Sequence, residues 1–245
     1  TKAGSANDTF VLPLPSDGTY DYYVDWGDGG AEEHSVVNTS LTHVYAAAGI
    51  YQVKIRGTFP RIYFNNAGDK DKLMYIDNWG NLAWSSMAYA FRGCAIMQGR
   101  YVDTPNLSAV TDMSFMFLNC YAFNHSVANF NTAKVINMAY MFQNCSAFKQ
   151  SLATFSLASA TSLTDMLNGC DLNTAGTTTN YDATLVAWAT ADVPNSMNFD
   201  GGTSKYGEGL VDNGTTDGLA ANKLIQSGQN FLTTGTGGDV VYNTT

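Results

Sequence analysis

Four cysteines recur at a nearly constant interval, and this interval limits the possible fold more than any other feature of the sequence. They are Cys94, Cys120, Cys145 and Cys170, separated by 26, 25 and 25 residues. A fixed period of about 20–50 residues is typical of stacked repeats. We therefore expect residues 65–170 to form an array of stacked coils.

Each cysteine closes an eleven-residue block with a recurring apolar pattern. In the second block the apolar positions are Val110, Met113, Met116, Phe117 and Cys120. This i, i+3, i+6, i+7, i+10 spacing predicts the buried face of a short helix. The methionines on this pattern are predicted to be core residues, not a metal-binding group: Met87, Met113, Met116, Met138, Met141 and Met166.

The segments between the blocks are repeated as well. Three apolar positions recur 25 residues apart, as Phe123 and Phe148, Val127 and Leu152, and Phe130 and Phe155. Residues 126–130 are predicted to be a short strand, and Tyr75-Ile76-Asp77 matches Tyr101-Val102-Asp103 as an earlier copy. We therefore predict a strand, a turn and a helix in each coil, with the coils stacked into an α/β solenoid.

The cysteines are predicted to be free, buried thiols. Neighbouring helices lie about 8–10 Å apart, whereas a disulfide requires Cα atoms within about 7 Å. A zinc site requires Cys or His pairs at short spacing, which the sequence lacks. We expect no metal and no cofactor.

The sequence predicts a small all-β domain in residues 1–64. Tyr20, Tyr22, Val24 and Trp26 alternate with polar neighbours and are expected to share one face of a strand. Further strands are predicted at 10–14, 51–55 and 62–64. Asp25 and Asp28 are candidate ligands for a calcium ion. In the alternative interpretation, Asp28 bonds backbone amides of its own turn.

Residues 171–245 are predicted to cap the repeats. Asn180 is a suitable cap for a helix from Tyr181 to about residue 191. A second helix is predicted at 217–227, ended by Gly228, and a strand at 197–199.

Two parts of the chain resemble known families. Residues 25–29 (DWGDG), 42–45 (THVY) and 48–55 (AGIYQVKI) resemble a PKD-type immunoglobulin-like domain. Residues 113–120 (MSFMFLNC), followed by 122–124 (AFN), and their copy in the next coil resemble BspA-like leucine-rich-repeat surface proteins. Residues 181–188 and 199–206 are similar to the tail that often closes such arrays.

These resemblances imply a fold and a role. The fold is an immunoglobulin-like β-sandwich in residues 1–64, a leucine-rich-repeat-like α/β solenoid in 65–170 and a C-terminal cap in 171–245. The role is adhesion or display, without catalysis, on a bacterial surface or on a virion of a phage. The implied partners are a protein or glycan on a cell surface, or other virion subunits.

Charge excludes some functions. The net charge is −9, and residues 84–170, with four bases and three acids, carry only +1. No segment has the basic patch that nucleic-acid binding requires, and no stretch approaches the roughly 18 apolar residues of a membrane span. The chain begins without Met or a signal-peptide pattern, which we interpret as a processed protein or a piece of a longer one.

Candidate binding residues lie on the predicted strand row. They are Tyr101, Asp103, His125, Ser126 and Asn129. We expect no catalytic residues. His43 is predicted to be structural, and no catalytic role is expected for His125, because Gln150 occupies its position in the next coil. The alternative is a glycan-binding or glycan-hydrolysing protein, because Asp77 and Asp103 occupy equivalent positions that adjacent strands would place about 5 Å apart.

Overall fold

The computed structural model describes residues 4–172, 179–190, 197–199, 201–202 and 231–232. These residues contain nine short strands and one helix: β1 (Thr9–Leu12), β2 (Asp21–Asp25), β3 (Glu33–Ser35), β4 (Leu41–Val44), β5 (Lys54–Thr58), β6 (Tyr75–Ile76), β7 (Gln98–Gly99), α1 (Thr179–Thr190), β8 (Met197–Asn198) and β9 (Phe231–Leu232). The helix predicted at 217–227 lies outside the described residues.

The predicted fold class, a β-sandwich followed by an α/β solenoid, is wrong. The described residues form sheets of only two or three strands. Their one helix, α1, lies C-terminal to the four blocks and not inside them. The sequence period is nevertheless reflected in the structure, because residues about 25 positions apart are joined by backbone hydrogen bonds.

The N-terminal strands form two small antiparallel sheets. β1 pairs with β4, and β2 lies between β3 and β5. The predicted alternation is confirmed, since Tyr20, Tyr22, Val24 and Trp26 are all buried. The prediction of a strand at 62–64 is wrong. The amide of Tyr63 donates to Pro13 O in the N-terminal part of the chain, whereas the amide of Phe64 donates to Ala90 O in the repeats.

The four blocks are turns, not the predicted helices. In the first block, Ala90 N donates to Met87 O at 3.1 Å and Cys94 N donates to Phe91 O at 3.0 Å. These are i→i+3 bonds, whereas an α-helix requires i→i+4 bonds. A chain of such turns also brings apolar residues together every three positions. The spacing of apolar residues therefore could not distinguish turns from a helix.

Left-handed backbone at two positions of each block excludes a helix. Tyr89 has φ 61° and Gly93 has φ 81°, each at the third position of its turn. Type II turns require this conformation at that position. The equivalent pairs in later blocks are Phe115 and Asn119, Tyr140 and Asn144, and Asp165 and Gly169.

The remaining amides of each block bond to the next block. Tyr89 N donates to Ser114 O at 3.0 Å, and Phe91 N donates to Met116 O at 2.9 Å. The second block bonds to the third in the same way, with Phe115 N donating to Ala139 O at 2.9 Å. This alternation between turn bonds and bonds to the next block satisfies the backbone without helices. The strand predicted at 126–130 is also absent, and β6 pairs with β7 instead of with residues 101–102.

The core of the repeats consists of the predicted residues. All six methionines of the pattern have 0% exposure, and all four cysteines are buried and free. The thiol of Cys145 donates to Phe117 O at 3.0 Å, and Cys120 and Cys170 make the same contact with Phe91 and Phe142. Each of these three thiols therefore joins its own block to the preceding one.

The N-terminal sheets and the repeats share one core. Phe59 packs against Trp84 with ring centroids 6.2 Å apart, and Ser85 N donates to Pro60 O at 3.0 Å. Asp69, which has 0% exposure, accepts bonds from Ser5 and from the amide of Val11. It also pairs with Lys72 at 3.1 Å. Asp69 therefore connects residues 5–11 to the segment that precedes the first turn block.

Helix α1 packs on the last repeats. The predicted helix is confirmed, but Asn180 is not its cap, because the helix begins at Thr179 and contains Asn180. The hydroxyl of Thr184 accepts a bond from Leu152 N at 2.9 Å, and Asn180 donates to Lys149 O. Trp188 contacts Phe199 with centroids 5.2 Å apart. Within the described residues, none of the helical structure is both long and apolar enough for a membrane span.

Candidate functional site

The five predicted binding residues lie together; we call Tyr101, Asp103, His125, Ser126 and Asn129 the polar row. Tyr101 is 2% exposed and donates its hydroxyl proton to Ser126 O at 3.1 Å. Its burial raises the pKa of the phenol above its usual range. Tyr101 therefore joins successive repeats and offers little surface to a ligand.

Asp103 stabilises a turn in the preceding repeat. Its carboxylate accepts bonds from Trp79 N at 3.0 Å and from Gly80 N at 2.7 Å. Gly80 has φ 63°, so this turn includes left-handed backbone. Asn129 donates to Asp103 O at 2.6 Å, which extends the connection to the following repeat.

His125 is held by one backbone carbonyl and one aromatic ring. Its Nε2 lies 2.7 Å from Tyr101 O, and its ring packs edge-on against the Tyr101 ring at 4.3 Å. A Cβ added to Gly99 would lie 2.6 Å from the Cβ of His125. Gly99 therefore provides the space that His125 occupies.

The two carboxylates of the alternative hypothesis have different partners. Asp77 accepts a bond from the Gln52 side chain at 3.1 Å, while Asp103 accepts backbone amides. Between Tyr101 and Asp103, Val102 is 94% exposed. An apolar side chain without acid–base chemistry is thus exposed between two members of the polar row.

The Asp25–Gly29 turn is also internally bonded. Asp25 accepts a bond from Gly27 N at 2.9 Å, and Asp28 accepts one from Gly30 N at 3.0 Å, as predicted for Asp28. His43 lies 2.9 Å from Asp28 and stacks on Trp26 at 4.7 Å. The Gly30 amide and then His43 lower the pKa of Asp28. Among the residues described, no three His, Cys, Asp or Glu side chains are arranged to hold a metal ion.

The cysteines have the properties of core residues and not of nucleophiles. Burial raises the pKa of Cys94, Cys120 and Cys145 above the ordinary thiol value. A thiolate is the reactive form of cysteine, so a raised pKa suppresses reaction at neutral pH.

A second surface feature was not predicted from the sequence; we call Tyr63, Tyr89, Phe115 and Tyr140 the aromatic ladder. Tyr89 and Phe115 stack with centroids 4.6 Å apart, and Phe115 and Tyr140 stack at 4.7 Å. Tyr63 packs on Tyr89 at 5.9 Å. All four residues are half-buried. The spacing of 26 and 25 residues between the last three was visible in the sequence, but the helical interpretation gave these positions no role.

Two arginines lie beside the aromatic ladder. Arg92 lies over Tyr89 at 5.6 Å and over Phe115 at 5.7 Å, and Arg61 lies over Tyr63 at 5.6 Å. Arg61 pairs with Asp17. Arg92 donates to the side chain of Asn65 at 3.0 Å, and no carboxylate in the described part of the chain forms an ion pair with it.

Comparisons with known proteins give one family. Neither the curated proteins nor the solved structures include a match to this chain. Residues 85–210, more than half of the 245 residues, match the family described as "Mycoplasma protein of unknown function, DUF285". This region begins in the first turn block and extends beyond α1. The chain therefore belongs to the DUF285 family.

Proposed function

We propose that this chain is a non-enzymatic adhesion or structural module displayed on the surface of a cell or a virion. The observation that carries the proposal is the structural role of Asp103. This residue belongs both to the polar row and to the Asp77–Asp103 pair of the hydrolase alternative. Its carboxylate binds backbone amides of the preceding repeat. A carboxylate with this role stabilises the stack and supports the surface around it.

The resemblance to PKD-type domains and to BspA-like surface proteins also supports the proposal. Charge is consistent with it, since only 13% of residues are charged and the polar surface is largely neutral. Such a module binds a protein or glycan of another cell, or other subunits of the same virion.

Surface display is tested by protease treatment of intact source cells or purified virions. Loss of the chain from intact particles, with an internal marker protein retained, is the expected result. Protection of the chain until the particles are lysed would contradict surface display.

Attachment through the polar row is tested by changing Val102, which lies between two members of the row and whose exposed side chain makes no contact with the core. We expect Val102→Glu to weaken attachment of beads coated with the full chain. Val44→Glu is the matched control, because Val44 is an exposed valine (63%) in the N-terminal sheets. Equal attachment by both variants and the wild type would exclude the polar row as the binding surface.

The glycan-hydrolase alternative predicts release of reducing sugar from a polysaccharide panel. We expect none from the wild type. Asp77→Asn is the informative variant, since within the described residues the Asp77 side chain is bonded only to the Gln52 side chain. Product from the wild type that disappears in Asp77→Asn, with unchanged thermal stability, would favour the enzyme instead.

A further inference from the structure

The stacked rings of the aromatic ladder cover one another's faces and leave ring edges for contacts with a ligand. Tyr89, Phe115 and Tyr140 stack nearly parallel, with interplanar angles of 7° and 12°. Their inner faces therefore contact one another. The edge of an aromatic ring is electropositive. A row of stacked edges favours electronegative groups over the apolar face of a flat ligand.

Arg92 adds a positive charge at the centre of this row. Its Nε is buried and has no hydrogen-bond partner, while its Nη1 donates to Asn65 at 3.0 Å. Carboxylates pair with other cationic groups of the chain: Arg56 with Glu32, Arg61 with Asp17, and Lys72 with Asp69. No such pair is recorded for Arg92 among the described residues. A guanidinium presents donors in a fork that matches a carboxylate or sulfate.

The surrounding groups favour a hydroxyl-rich ligand. The hydroxyls of Tyr63, Tyr89 and Tyr140 form no hydrogen bond with another described residue. Phenol hydroxyls and the Asn65 amide both donate and accept, as sugar hydroxyls require. Nucleic acid would need many more cations than Arg61 and Arg92.

We propose that the aromatic ladder and Arg92 form a binding site for an anionic glycan, with Arg92 pairing with a carboxylate or sulfate on the sugar. This assignment rests on the proposed adhesion function and identifies a ligand class for it. It makes the ladder a second binding surface, in addition to the polar row. Arg92 contributes the ion pair, and the tyrosine hydroxyls contribute bonds to neighbouring sugar units.

The test measures binding of the full chain to immobilised polygalacturonate, dextran sulfate and neutral dextran by biolayer interferometry. Binding to at least one acidic polymer and none to neutral dextran is expected. Preference for polygalacturonate identifies a carboxylate, and preference for dextran sulfate identifies a sulfate. Equal binding to neutral dextran, or no binding to either acidic polymer, overturns the proposal.

Variants separate the site from general electrostatics. Arg92→Gln is expected to weaken acidic-polymer binding about tenfold or more, since it removes a charged hydrogen bond. Arg56→Gln is the matched control, because Arg56 also lies over a tyrosine, Tyr23, at 3.9 Å. Equal weakening by both variants overturns the proposal. Tyr89→Phe removes the hydroxyl but keeps the stacked ring, and it provides a second test if Arg92→Gln is unstable. Undiminished binding of the acidic polymers by Tyr89→Phe overturns the role of the hydroxyls.

Failure of this inference is distinguishable from failure of the proposed function. Attachment of coated beads that persists in Arg92→Gln, without acidic-polymer binding by the wild type, rejects the ladder site and retains adhesion. Protection from protease on intact particles rejects surface display, whatever the glycan results.

Discussion

The buried side chain of Asp69 connects several segments of the molecule. Burial by itself raises the pKa of its carboxyl, but hydrogen bonds from Ser5, from the Val11 amide and from Lys72 outweigh burial and lower the pKa overall. The side chain of Lys72 is 16% exposed and also donates to three backbone carbonyls, those of Ser5, Ala6 and Thr9. Removing the carboxylate charge would leave a partly buried cation unpaired.

Asp69→Asn is therefore expected to lower the free energy of unfolding by about 3 kcal/mol, the usual cost of breaking a buried pair. Asp71→Asn is the control, because Asp71 is 26% exposed and pairs with its neighbour Lys70; its cost should be below about 1 kcal/mol. Urea unfolding followed by fluorescence measures both. Equal costs would contradict the structural role of Asp69.

The same carboxylate predicts a pH dependence. Because its folded pKa is lowered, its stabilisation is complete above the unfolded pKa of about 3.9 and is lost as pH falls through the lower folded value. The stability difference between wild type and Asp69→Asn should be constant from about pH 5.5 to 7.5 and shrink below about pH 4. A difference that persists unchanged at about pH 3 would exclude this carboxylate as its source.

Thiol reactivity is a further prediction for single residues. All four cysteines are buried, and burial raises the pKa of three of them. Ellman's reagent should therefore react with none in the native protein and with four after guanidinium unfolding. Rapid reaction of any native thiol would show that its block is open to solvent.

At the scale of the element, the turn blocks combine strained backbone with stacked side chains. A left-handed residue other than Gly costs roughly 1–2 kcal/mol, and Tyr89, Phe115 and Tyr140 adopt this conformation. Each stacked ring pair contributes about 0.5–1.5 kcal/mol. Stacking thus offsets much of the strain, and it does so only when successive blocks are aligned.

The position before each cysteine tests this turn geometry. Gly93 has φ 81°, and a Cβ there would overlap the Asn66 side chain and lie 3.0 Å from the Asn66 Cα. Gly29 has φ 84° and has nothing within 4 Å of an added Cβ. Gly29→Ala should therefore cost about 1 kcal/mol from backbone strain alone, and Gly93→Ala at least about 2 kcal/mol. Equal costs in chemical denaturation would contradict the close contact.

At the scale of the whole molecule, the N-terminal sheets and the repeats share a continuous core. The ring of Phe59 contacts both Tyr22, at a centroid distance of 5.1 Å, and Trp84, at 6.2 Å. The tyrosine lies in the N-terminal sheet and the tryptophan starts the first block. We therefore expect both parts to unfold together.

Val24→Ala tests this cooperativity, because Val24 is 0% exposed in β2 and remote in sequence from the cysteines. The variant should lose about 2 kcal/mol. Tryptophan fluorescence and thiol exposure should show the same shift in midpoint, as two-state unfolding requires. A shift in fluorescence without a shift in thiol exposure would show that the repeats unfold independently.

The amino-acid pattern was sufficient to predict the period of the chain, the buried residues of its repeats and the proximity of the polar-row residues. Tyr101 lies with His125 and Ser126, and Asp103 with Asn129, because a repeat of about 25 residues aligns these positions. Apolar spacing identified the core correctly, since burial depends on side-chain chemistry. It did not identify the partners of Asp103, which lie in the preceding repeat.

That the blocks are turns, and which groups remain for a ligand, depends on contacts between distant parts of the chain. Alternate amides bond to residues about 25 positions away, and apolar spacing within one block carries no information about such bonds. The same bonds align Tyr89, Phe115 and Tyr140 into a stack. Contacts between blocks, and not helix propensity, therefore determine both the backbone conformation and the surface beside Arg92.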